Sequence, residues 1–283
     1  MLTIDSVRKG LRDVEGNFRR YILTHFREWR KWAEQSDRIY AGEEVKEDDV
    51  PPPFQTEMRV MKVIKEMETL GEFDWNNPTL RLLFAQMAES QFHRYFGGII
   101  AELTIKMVKL SKASCLIEIG AGEGRLAELV CTRMKERNVR LPLFITDSRP
   151  IVEMAAMKLK EAYPEVSIEG LIWDITNPPS DALISRLTRP SIIYERYSLT
   201  YANCHAINNL ARAADVLVLG GWFNHSGALY GFDKVFAKIG FKSLLFKDVE
   251  VRLRQYYSCI LPLDEGVGRE IDFPYTTILL AWR

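Results

Sequence analysis

Cysteine is scarce in this 283-residue chain and never clustered: Cys115, Cys131, Cys204 and Cys259 stand far apart, with no Cys-x-x-Cys pair. That spacing argues against a structural zinc and gives no disulfide framework, so no metal is expected. Neither sign of charge dominates, because 38 Lys and Arg are matched by 38 Asp and Glu. The balance leaves no overall field to gather nucleic acid or acidic membranes. No apolar run approaches the ~20 residues of a membrane span. The opening residues, Met1 to Gly10, hold no apolar core of signal-peptide length. The expectation is a soluble, cytoplasmic protein without a membrane partner.

What is present is ordinary globular composition, 47% hydrophobic and 27% charged residues, in a length that suits one large domain or a domain with an appendage. From residue 115 onward, strand-like runs recur about every 25 residues, each followed by a helix-like stretch. The runs are 115–118, 143–146, 166–173, 191–194 and 215–219; the helical stretches lie near 152–162, 181–187, 205–213 and 232–239, with one directly after residue 124. Alternation of this kind predicts an α/β fold, a doubly wound and mostly parallel sheet. The alternation then stops. Runs at 242–248, 256–263 and 275–282 predict antiparallel C-terminal strands.

Residues 1–90 read differently, as an all-helical cap. One long helix is expected over 5–36, with Val7, Leu11, Phe18, Ile22, Phe26 and Trp29 on it. Pro51, Pro52 and Pro53 end an acidic stretch and break the helical pattern. Met58, Met61, Ile64, Met67 and Leu70 then form a helical stripe, and two further helices, 78–89 and 91–110, lead into the sheet domain at 91–283. The cap either shields a flank of the sheet or covers a ligand cleft as a lid.

The segment that names a chemistry is Glu118-Ile-Gly-Ala-Gly-Glu-Gly124. Glycines at 120, 122 and 124 permit positive φ and let a ligand lie against bare backbone. The dinucleotide fingerprint Gly-x-Gly-x-x-Gly places its third glycine one residue later. An acid two residues before the first glycine suits a ligand with a cationic end better than a diphosphate. This run resembles the first motif of the class I S-adenosylmethionine (SAM) dependent methyltransferases, in which the loop holds the methionine end of SAM. Five βα units followed by antiparallel strands are similar to the architecture of that family.

The resemblance implies a SAM site at the carboxyl ends of the strands. Its cofactor-binding residues are then Glu118, Gly120, Ala121, Gly122 and Gly124, followed by Asp147 and Ser148, by Trp173, Asp174 and Ile175, and by Tyr194. Asp147 takes the ribose hydroxyls in this reading, or else caps the next helix. Asp174 accepts from the adenine amine with Trp173 or Ile175 against the ring, or else starts the turn into Asn177-Pro178-Pro179. That tripeptide with Ser180 resembles the Asn-Pro-Pro-Tyr motif of amino-group methyltransferases, but it follows the wrong strand and lacks the aromatic, so a turn is expected. Arg94 pairs with the SAM carboxylate or is a solvated helix arginine. Aromatic residues Trp173, Tyr194, Tyr197, Tyr201, Trp222 and Phe223 either stabilise a sulfonium or pack as core.

In-line methyl transfer asks for alignment and exclusion of water more than covalent work. His205 and His225 are the candidate bases, and Tyr197 and Asn224 the candidates for orienting an acceptor; each has a structural alternative. The leading expectation is methyl transfer from SAM to a small molecule. Aminocarboxypropyl transfer or ring closure with release of methylthioadenosine, RNA methylation through the first helix, and a non-catalytic SAM-binding relative remain open. So does the oligomeric state, with a homodimer as one candidate.

Overall fold

The computed structural model describes residues 2–72, 74–198, 204–221, 232–252 and 272–283. Its centre is a seven-stranded sheet in the order β3-β2-β1-β4-β5-β7-β6. Strands β1 (Cys115–Glu118), β2 (Leu143–Asp147), β3 (Ile168–Ile172), β4 (Ser191–Arg196) and β5 (Val216–Gly220) run parallel. β7 (Asp272–Trp282) lies antiparallel between β5 and β6 (Lys242–Arg252). The expected antiparallel end is therefore present; the run at 256–263 lies outside the described residues. Five helices follow the parallel strands: α6 (Arg125–Glu136), α7 (Ile151–Ala162), the short α8 (Asp181–Ile184), α9 (Cys204–Ala213) and α10 (Phe232–Lys238). Asn177 to Ser180 lead into α8, with Ser180 Oγ accepting from Leu183 N, so this stretch is the expected turn.

Period-two alternation along buried strands divides the core between two faces. Leu116, Ile145, Ile192 and Val218 point to one face, and Ile117, Phe144, Ile193 and Leu219 to the other. The first face is shared with the N-terminal helices, whose Val7, Leu11, Phe18, Trp32, Met58 and Met61 belong to the same continuous core. Trp282 Nε1 and Lys242 Nζ both donate to the carbonyl of Leu2, tying the first described residue to the sheet edge.

The 5–36 stretch is two helices rather than one, α1 (Ile4–Thr24) and α2 (Phe26–Tyr40). At the join, Thr24 Oγ1 bonds back to the Arg20 carbonyl at 2.9 Å, a contact that bends helices. The bend lets α2 bring Trp32 onto Phe54, ring centroids 6.0 Å apart. Val7, Leu11 and Phe18 are core, as their spacing predicts; the side chains of Ile22, Phe26 and Trp29 lie outside the described set. α3 (Gln55–Leu70) buries Met58, Met61, Ile64 and Met67 but leaves Leu70 exposed. Gly71 ends α3 in the left-handed conformation at φ 68°. α4 (Pro78–Glu89) starts on Asn77, whose Oδ1 accepts from Thr79 N and Leu80 N. α5 (Gln91–Ser111) starts on Ser90 and leads into β1. Among the described residues no helix is long and apolar enough to cross a membrane.

Candidate ligand-binding and active site

β1 and β4 are neighbours, while the chain leaves β1 toward β2 on one side and reaches β4 on the other. Strand order reverses between them, and a crevice opens beyond their carboxyl ends. A cavity of about 330 Å³ occupies that place, within the size range of small-molecule sites. Glu118, Gly120, Ala121 and Gly122 line it, as do Asp147, Ser148, Trp173, Asp174, Ile175 and Tyr197.

The glycine loop has the geometry its sequence demands. Gly120, Gly122 and Gly124 sit at φ 61°, 53° and 80°. Ser198 covers Gly120 so closely that a Cβ there would lie 2.0 Å from Ser198 Oγ. Gly124 does not line the cavity. It heads α6 and packs against Ala155 and Leu159 of α7, which makes its role structural.

Glu118 is 2% exposed, and its Oε2 has no hydrogen-bond partner. Burial pushes its carboxyl pKa up to about 8; the nearby Tyr194 hydroxyl and Arg196 guanidinium only partly offset this. Tyr194 itself lies in the core beneath the cavity, and its hydroxyl also makes no hydrogen bond of ordinary geometry. Burial and the adjacent Glu118 hold the phenol far above its usual range. Tyr194 therefore stands behind Glu118 rather than on the cavity wall.

Asp147 is saturated. Its Oδ1 accepts from Arg149 N at 3.1 Å and Arg149 Nε at 2.8 Å. Its Oδ2 accepts from Gly122 N at 2.9 Å and Arg149 Nη2 at 3.2 Å. Those four donors match the roughly four acceptor sites of a carboxylate. Arg149 also donates through Nη1 to the carbonyl of Trp75, in the connection between α3 and α4. Asp174 holds a tight turn, accepting from Thr176 N, Thr176 Oγ1 and Asn177 Nδ2, while it also borders the cavity. Trp173 Nε1 donates to the Asn177 carbonyl.

The loop after β4 is held by Glu195, fully buried, whose two oxygens accept from Ser198 N at 2.7 Å and Gly220 N at 3.0 Å. Between these anchors Tyr197 adopts φ 73°, rare for a residue with a side chain and costly unless its surroundings enforce it. Arg94 is exposed on α5 and does not reach the cavity. His93, its neighbour, is the residue that faces inward, because adjacent helical positions lie about 100° apart. The guanidinium at this end of the cavity comes instead from Arg196, whose Nη1 donates to the His93 carbonyl at 2.7 Å. The side chain of His205, and Asn224 and His225 altogether, lie outside the described residues, as do Tyr201, Trp222 and Phe223.

Sequence reading missed the wall contributed by the cap, where Trp75, Arg81 and Phe84 border the cavity. It also missed Glu57 and His93, buried at the apolar face of α3 and α5. The available signal was a charged or polar residue in register with Met61 and with Phe96, on stripes that are otherwise apolar.

No protein-family model matches the chain, and no curated protein matches it in sequence. Solved structures do match. The fold is similar to the CMeT domain of the citrinin polyketide synthase, with a TM-score of 0.55 at 15% identity, covering 82% of this chain and 66% of that one. It is similar to the DszA carbon methyltransferase, with a TM-score of 0.56 at 11% identity over 81% and 65%. For the CurJ carbon methyltransferase the values are 0.53 at 14%, over 88% and 70%. The chain thus spans about two thirds of the length of these structures. At such identities the likeness is one of architecture: this chain has the Rossmann-like fold of the class I SAM-dependent methyltransferases, with a helical N-terminal layer built onto one face of the sheet.

Proposed function

We propose that the protein is a SAM-dependent methyltransferase acting on a small molecule by in-line transfer. The observation that carries this reading is the orphaned, buried oxygen of Glu118 beside a bare glycine loop. A buried carboxyl without a partner is costly, and a ligand ammonium would supply the partner it lacks. A diphosphate there would meet an acid instead. The loop offers room at Gly122, where the nearest atom to an added Cβ is Arg149 Nη2 at 3.8 Å.

When bound, SAM supplies an electrophilic methyl group on a neutral thioether leaving group. The chain's residues do the rest. Glu118 and the loop would hold the amino-acid end, with Arg196 as the guanidinium for the carboxylate in place of Arg94. Asp147 would hold the ribose once Arg149 yields its place. Trp173, Asp174 and Ile175 would border the adenine. Trp75 and Phe84 from the cap close the wall, which supports a lid function and a small acceptor rather than a polymer.

Two measurements test this. Asp147→Ala should weaken binding of SAM and of S-adenosylhomocysteine by about 1–3 kcal/mol in calorimetry, the scale of charge-assisted hydrogen bonds; unchanged affinity removes Asp147 from the ribose role. Turnover should release S-adenosylhomocysteine, identified by mass spectrometry. Methylthioadenosine as the by-product would instead mean aminocarboxypropyl transfer or cyclisation.

A further inference from the structure

A buried chain of three polar side chains runs from the cap to the cavity. Glu57 on α3 and His93 on α5 are buried, and Tyr197 in the loop after β4 borders the cavity. Glu57 Oε2 lies 3.2 Å from His93 Nε2, and His93 Nδ1 lies 2.5 Å from the Tyr197 hydroxyl. These residues come from three separate elements, so the alignment is a product of the tertiary fold. Tyr197 is further fixed by its left-handed backbone, by stacking on Phe96 with centroids 5.8 Å apart, and by Arg196 lying 5.4 Å from its ring centroid.

We propose that Glu57, His93 and Tyr197 form a proton relay serving the acceptor, with Tyr197 as the catalytic residue and His93 and Glu57 as the positioning residues behind it. The inference rests on the methyl-transfer reading. With Glu57 Oε2 as acceptor, the imidazole proton sits on Nε2 and Nδ1 is left to accept from the tyrosine hydroxyl. Burial holds His93 below its usual pKa; Glu57 opposes this and the Arg196 guanidinium adds to it.

The step balances as follows. The acceptor's lone pair forms the new bond to the methyl carbon while the carbon–sulfur bond breaks and its electron pair stays on sulfur. The acceptor's proton passes to the Tyr197 oxygen as the tyrosine proton passes to His93 Nδ1. The resulting imidazolium lies against Glu57; after product leaves, its proton passes back to the Tyr197 oxygen as the hydroxyl proton departs to water in the emptied cavity. The arrangement follows the nucleophile–base–orienter logic of hydrolase triads, with a phenol at the substrate end.

The test uses the full chain with ¹⁵N-labelled histidine; four histidines give a resolvable spectrum. Two probes are compared: S-adenosylhomocysteine, neutral at sulfur, and sinefungin, which carries an amine where the transferable methyl would sit. A cation at that position should draw the Tyr197 proton onto His93, moving the Nδ1 resonance toward its protonated range with sinefungin but not with S-adenosylhomocysteine. Tyr197→Phe should abolish the response while both probes still bind by calorimetry. Glu57→Gln should diminish it, because the imidazolium loses its counter-charge. Equal Nδ1 shifts with both bound probes, or a sinefungin response that survives in Tyr197→Phe, would overturn the relay while leaving the SAM site intact. No heat with either probe would overturn the methyl-transfer reading and the relay with it.

Discussion

Replacing Glu118 by Gln should make the protein more resistant to urea at pH 9 than the wild type, and change little at pH 4. The folded-state pKa of Glu118 stands at about 8, against 4.5 for the free side chain. The folded state therefore holds its proton more tightly than the unfolded state does. Stability from this group is complete below about pH 4.5 and is lost as pH rises through about 8. At about 1.4 kcal/mol per pH unit, the span amounts to ~5 kcal/mol for this buried group. Glutamine cannot ionise, so the difference between variant and wild type should widen across that window. A difference that stays constant from pH 4 to pH 9 would contradict the raised pKa. The same substitution should weaken SAM binding. An ammonium beside Glu118 favours its ionised form, so binding should expel a proton below pH 8. Calorimetric heats of the wild type should then vary with the ionisation enthalpy of the buffer, and those of Glu118→Gln should not.

Gly120→Ala is expected to be the most damaging single methyl at the glycines of the described residues for which the added carbon can be placed. A left-handed backbone costs a residue with a Cβ about 1–2 kcal/mol. The new carbon would also collide with Ser198, whose Oγ and Cβ lie 2.0 and 2.7 Å from it. Overpacking of this kind costs about 1–3 kcal/mol. Ser198 cannot retreat freely, because its backbone N–H is held by Glu195 and its hydroxyl bonds the Ile119 carbonyl. Relief requires the β1 and β4 loops to part, so ligand binding should fall together with stability. Gly98→Ala is the control: Gly98 lies within α5, no atom comes within 4 Å of its added Cβ, and it should be neutral or slightly stabilising. Urea melts of the two variants that coincide with the wild type would show that the loop accommodates a side chain at 120.

Short-range features are legible in the sequence. The alternation of apolar runs and helical stretches located β1 to β5, because β1, β2, β4 and β5 are buried on both faces and β3, at the sheet edge, keeps the same apolar character. The glycine loop was legible because positive φ is a local demand that few residues meet. Features that depend on encounters across the chain were not. Glu57 and His93 are 36 positions apart and His93 and Tyr197 are 104 apart, so nothing in either segment announces the contact. Arg94 lies on the helix that enters the first strand, yet helical geometry turns it outward and turns His93 in. Arg149 sits two residues beyond Asp147, and sequence does not reveal that its side chain folds back on that acid. The break at His25 depended on a side-chain bond to the backbone rather than on a glycine or proline.

Arg149 gives the protein a mechanical property. The same guanidinium that fills Asp147 also grips the main chain between two helices of the N-terminal layer. In the proposed SAM complex a ribose diol would compete with Arg149 for that acid, while Arg149 Nη1 holds the main chain at Trp75. Ribose recognition at Asp147 and anchorage of the N-terminal layer at Trp75 would thus depend, in that complex, on the same side chain.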